Sequence, residues 1–312
     1  MSKQSNIEKD QPQQKENVQI DVHATENTKD LTPLLESILS LAKSGSQIQP
    51  ERKTKILQEL LNLSDSAFNT IAQSIDFKTW SDDLASDLCK EIQSTNSSSN
   101  SVSTLLIVAI VYPKIANLNS TASRLLMNSI LSLAKEQGRL VIDGLIIPLL
   151  FQSMAGRPQF EVISKVVAES LKSSHRFLVL QTILSDGEIY YSHKVDERAL
   201  SRHSLRPWNE AIFQLVGSLL SSQPLLALTK EILQEILQVI RATVEFNPKD
   251  KNPMQLLLII TSKHAQAVAE FDCIEAIESI STSSKMFLKR AVLGQLTSIK
   301  KNLHSLQESK VA

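Results

Sequence analysis

From Leu34 onward, apolar residues recur at spacings of three and four in one segment after another, and no segment shows strict alternation. A period near 3.6 puts those residues on one face of a helix, whereas a half-buried strand needs a period of two. The pattern therefore predicts an all-α chain. Composition agrees: 42% of residues are hydrophobic but only 4% are aromatic, and 312 residues include just seven glycines. Leu, Ile, Val and Ala supply most of the apolar mass, as helix-on-helix packing requires.

The periodicity predicts a first helix in LTPLLESILSLAKSG, where Leu34, Leu35, Ile38 and Leu41 share a face. Pro33 suits the first turn and Gly45 is a candidate C-cap. Further helices are expected near 51–63, 65–75, 78–94, 102–111, 120–136, 140–154, 158–172, 174–184, 207–221, 225–245, 253–266 and 283–306. About a dozen short helices with short polar links suggest stacked antiparallel hairpins, each burying one face on its neighbours. A loose period of about 40 residues fits HEAT-like arrays better than any fixed repeat. The reading is an α-solenoid of degenerate HEAT-like repeats over 31–312, with a globular all-α bundle as the alternative. Residues 1–30 are polar with no periodic apolar positions, which predicts a disordered tail.

Charge and cysteines exclude some classes. With 33 basic and 33 acidic residues, the chain has no overall field for nucleic acid or an anionic membrane. Residues 283–312 nonetheless carry six Lys/Arg against Glu308, a basic end on a mildly acidic body. Cys89 and Cys273 stand 184 positions apart and match neither a zinc motif nor a disulfide framework, which points to a reducing compartment. The apolar run at 140–155 contains Asp143, Gly144 and Pro148 and reads as a buried helix, not a membrane span. The first residues lack the apolar stretch of a signal peptide.

Nothing in the chain argues for an enzyme. The segment 186–206 gathers Tyr190, Tyr191, His193, Asp196, Arg198 and His203, types able to move protons, but it reads as a solvated connection. His193 and His203 have no cysteine nearby, so a metal site there rests on little. His264 falls at a helix end, where a cationic ring suits the terminal carbonyls. No phosphate-binding glycine loop and no H-E-x-x-H motif occurs, and no cofactor is expected.

The stretch SSKMFLKRAVLGQL at 283–296 poses a different problem. On a helix, Leu288, Val292, Leu296 and Ile299 form one stripe, while Phe287 projects away from it beside Arg290, Gly294 and Lys301. An apolar anchor ringed by cations is what an interface hot spot offers. The alternatives are packing of Phe287 on a preceding helix near Ile274 and Ile277, or phosphate contacts from Lys285, Lys289, Arg290, Lys300 and Lys301.

PWNEAIFQLVGSLL at 207–220, MQLLLIITSKHA at 254–265 and KMFLKRAVLGQL at 285–296 resemble, in order and spacing, the C-terminal domain of the Fanconi anaemia group E family. The likeness covers about 100 residues; the middle is compatible only through its Leu-rich helices, and residues 1–100 match nothing specific. It implies short antiparallel helical repeats and non-catalytic adaptor work in the nucleus, within the Fanconi core ubiquitin-ligase complex. It further implies binding of the group C protein and delivery of the group D-two substrate for monoubiquitination in repair of DNA interstrand crosslinks. Phe287, flanked by Leu288 and Lys289, corresponds to the family's final-helix phenylalanine for substrate contact, with Arg290 and Lys301 on the same side. Trp208 and Glu210 match a tryptophan–glutamate motif, Trp208 as core packing. The long variable N-terminal region of some relatives is here a polar tail, and no strong basic nuclear-localisation cluster is present. An unrelated HEAT-like scaffold and a DNA binder acting through the basic last helix stay open beside this reading.

Overall fold

The computed structural model describes residues 30–44, 48–94, 100–152, 155–185 and 205–311, with side chains placed as far as Leu303. The tail expected over 1–30 lies almost wholly outside them, as do Gly45, Tyr190, Tyr191, His193, Asp196, Arg198 and His203. Among the described residues there are helices and no strand. The protein is all-α.

The chain opens with α1 (Thr32–Ser44), α2 (Pro50–Leu61), α3 (Asp65–Ser74), a 3₁₀ turn (Phe77–Thr79) and α4 (Asp82–Ser94). Next come α5 (Asn100–Leu106) and α6 (Tyr112–Ala116), joined by a π-helical segment, Ile107–Val111. α7 (Arg124–Glu136) precedes α8 (Gly138–Val141) and α9 (Ile147–Leu150), joined by a second π segment, Ile142–Ile146. The remainder is α10 (Arg157–Glu169), α11 (Ser173–Ser185), α12 (Glu210–Ser221), α13 (Lys230–Phe246), α14 (Lys251–Lys263), α15 (Ala265–Glu270), α16 (Ile274–Ser283) and α17 (Lys289–Val311).

Short polar side chains start many of these helices by accepting an otherwise orphaned backbone N–H. Ser64, Ser123, Asn209 and Thr229 each accept from the residue three positions on, and Asp250 from Asn252. Packing then arranges the helices in two series. In one, α2 lies on α4, α4 on α7, α7 on α10, α10 on α12, α12 on α14, and α14 on α17. In the other, α3 lies on α5, α5 on α8, α11 on α13, and α13 on α16. His175 of α11 meets α8 at Gly138, where a Cβ would run into the imidazole ring. One continuous apolar core runs between the series.

Buried polar side chains reach helix ends more than 40 positions away, where the last carbonyls lack intrahelical partners. Gln159 Nε2 lies 3.2 and 3.1 Å from the carbonyls of Ile115 and Ala116 at the end of α6, and 2.9 Å from that of Leu118 just past it. The guanidinium of Arg176 donates to Ser222 O at 2.8 Å and to Pro224 O, just past α12. His264 Nε2 donates to Leu220 O at 2.8 Å.

Four sequence expectations need correction. α17 begins at Lys289, so the first six residues of the expected 283–306 helix are the end of α16 and a turn. α16 itself was not among the expected helices: its buried face is only Ile274, Ile277 and Ile280 amid Ser, Thr and Glu. The expected 253–266 helix breaks at His264, which is buried and bonds a neighbouring helix instead of standing as a cation over its own terminus. The helix expected to end at 111 runs on through its π segment to Ala116. Among the described residues, no helix is long and apolar enough to cross a membrane.

Candidate functional site

The turn between α16 and α17 is built by its own polar atoms. Ser284 is buried; its Oγ donates to Pro248 O at 3.3 Å and accepts the Met286 N–H at 3.1 Å. The Lys285 N–H donates to Pro248 O at 2.8 Å, and Lys289 Nζ returns to Ser284 O at 2.9 Å. So fixed, the chain alternates. Met286 and Leu288 pack against the core, and Phe287 between them is 77% exposed. Phe287 therefore does not pack on Ile274 or Ile277, which are themselves buried in the core.

The Arg290 guanidinium stands 5.4 Å from the centroid of the Phe287 ring. A cation over an exposed ring contributes about 0.5–1 kcal/mol, enough to bias the ring's position but not to bury it. Gly294 leaves the helix surface beyond them open, with nothing within 4 Å of where a Cβ would be. Val292, Leu296 and Ile299 are buried as the stripe requires, and Leu303 is half-buried.

The basic residues divide by role. Lys289 closes its own turn, and Lys300 pairs with Glu278 at 2.7 Å. Lys285, Arg290 and Lys301 are exposed and make no ion pair among the described residues. Lys301 lies eleven positions beyond Arg290, roughly 16 Å along the helix axis. The structure thus brings Phe287 and Arg290 together, turns Leu288 inward, and sets Lys301 apart.

Trp208 is buried, with its ring edge-on to Phe213 at 5.4 Å and 78°. Glu210 opens α12 and reaches Lys251 at 3.3 Å, tying the starts of α12 and α14 together. Neither touches Phe287. Phe246, at the end of α13, is 90% exposed and was missed by sequence reasoning. A signal existed, since it falls off the buried stripe Ile236, Leu237, Ile240 and Val244 of its own helix.

Chemistry elsewhere is sparse. Burial pushes the Cys89 thiol up to about 12, which removes the thiolate as a nucleophile at neutral pH. Cys273 is also raised, first by burial and then by Asp272. Among the described residues, no group of three or more His, Cys, Asp or Glu could hold a metal ion. An open groove of about 710 Å³ between the starts of α10 and α12 is lined by Arg157, Phe160, Glu161, Asn209, Glu210 and Gln214. No family model matches the chain, and no curated protein is similar enough to count as a relative.

Proposed function

We propose that this chain is a non-catalytic adaptor, an α-solenoid of degenerate HEAT-like repeats acting as a Fanconi group E subunit in the nucleus. On this reading it binds the group C protein and other core-complex subunits through its earlier helices, and presents the group D-two protein for monoubiquitination through the turn that opens α17. The two series of helices, each resting mainly on its predecessor, support the solenoid. The three C-terminal stretches that resemble the family support the identity.

One observation carries the reading: Phe287 is held outward, 77% exposed, between two side chains that pack inward. Fully burying a phenylalanine contributes about 1.5–3 kcal/mol, and the isolated chain forgoes most of that. A partner that covers the ring recovers it. The same geometry counts against duplex DNA as the main ligand, because Lys289 and Lys300 are already engaged within the fold.

Phe287→Ala tests the proposal. The thermal midpoint by circular dichroism is expected to stay close to that of the parent, because no core contact is lost. Affinity for the group D-two protein, measured by calorimetry, is expected to fall roughly thirtyfold, about 2 kcal/mol. Unchanged affinity, or a collapse of the fold, overturns it.

A further inference from the structure

Phe246 and Phe287 are the two most exposed large apolar side chains among the described residues, at 90% and 77%. They stand 41 positions apart, one unit of the array. Phe246 closes α13 and Phe287 follows α16, and α13 packs on α16. Their loops touch: Pro248 O accepts from both Lys285 N–H and Ser284 Oγ. Each phenylalanine is two residues from that junction, which confines the two Cα atoms to within about 20 Å of each other. That lies inside a single standard interface patch of roughly 800 Å².

The charge around them has one sign in excess. Lys249, Lys285 and Arg290 are exposed and make no ion pair among the described residues, against the exposed Glu245. Asp250 is engaged in capping α14. We infer that the two loops form a two-anchor docking surface for an acidic segment of a partner protein, which covers Phe246 and Phe287 with two apolar side chains. This rests on the reading of Phe287 as a docking residue. An extended chain advances about 3.3 Å per residue and presents every second side chain on one face. The partner's two apolar residues are therefore two or four positions apart, about 7 or 13 Å, amid Asp and Glu.

The test uses the full chain and fluorescent peptides of Glu and Asp carrying two leucines two or four positions apart. Anisotropy is expected to show saturable binding, weakened at least tenfold by Phe246→Ser and by Phe287→Ser separately. The double charge reversal Lys249→Glu with Lys285→Glu, which keeps both rings, is expected to abolish it. A peptide with Lys replacing the acids is expected not to bind. Binding untouched by Phe246→Ser, equal binding of the lysine peptide, or no binding at all overturns the inference. So does sedimentation showing that the chain dimerises through these rings. Failure at Phe246 alone leaves the adaptor reading standing. Peptide binding through both rings without affinity for the group D-two protein does the reverse.

Discussion

His264 joins α14 to the end of α12 through a ring that the fold keeps neutral. Burial lowers its pKa from the ordinary 6.5, outweighing the Leu220 carbonyl bond, which raises it. As pH falls through that ordinary value the unfolded chain takes up the proton first, so the contribution is whole above about 6.5 and is lost below it, toward the folded pKa. His175 adds loss in the same direction, through burial and then Lys172 and Arg139, with Asp143 opposing. His264→Gln keeps an N–H for Leu220 O and removes the titration. The drop in thermal midpoint between about pH 7.5 and about pH 5.5 is expected to shrink in this variant without vanishing. An unaltered drop would assign the acid sensitivity elsewhere. At this scale the sequence was informative where periodicity applies. Val292, Leu296 and Trp208 are buried as expected, and Arg290 shares the open side of α17 with Gly294. It was silent on Gln159, Arg176 and His264 as links between units, because their acceptors are backbone carbonyls more than 40 positions away.

The paired helices α5–α6 and α8–α9 show what a proline does when packing holds its helix together. Each π segment ends one residue before a proline-bearing turn: Tyr112 N–H bonds Ile107 O ahead of Pro113, and Ile147 N–H bonds Ile142 O ahead of Pro148. The widened turn lets the proline enter as if in a new first turn, where its missing N–H costs nothing. The two segments stand 35 positions apart and pack on each other. At their contact a Cβ on Gly144 would lie 2.9 Å from the Ile107 side chain and 3.2 Å from Thr104 O. Gly144→Ala is therefore expected to destabilise by about 1–3 kcal/mol through overpacking. Gly294→Ala, with open space around it, is expected to stabilise by about 0.5–1 kcal/mol. Urea denaturation of both variants checks this, and the same sign for the two would refute it. The expected boundary at 111 falls two residues before Pro113, whereas the helix expected over 140–154 runs through Pro148. Sequence reading missed α16 because three isoleucines among serines and glutamates give a weak helical signal.

Over the whole molecule, the two series make their main contacts from each helix to the next member of its own series, so distant helices are coupled mainly through those between them. On the proposed solenoid reading, unfolding departs from two-state behaviour where a neighbouring interface is weak. Two tryptophans report on separate regions: Trp80 ahead of α4 and Trp208 ahead of α12, both buried. Phe can replace either one to leave a single reporter. The two fluorescence transitions in urea are expected to differ in midpoint. Coincident transitions would mean that the array melts as one block. The all-α character was plain from spacing alone; the pairing of units was not, since each partner helix lies roughly 40 positions away without a fixed repeat to mark it.

The links made by Gln159 and His264 have a consequence for a chain synthesised from its N-terminus. The carbonyls that end α6 wait 41 to 44 further residues for Gln159, and the one at Leu220 waits 44 for His264. Until then these carbonyls lack the buried side-chain donor that joins them to the later helices. A product terminated just short of either donor carries an unfinished seam on its last unit, and protein quality control meets an open helix end even where every earlier unit is complete.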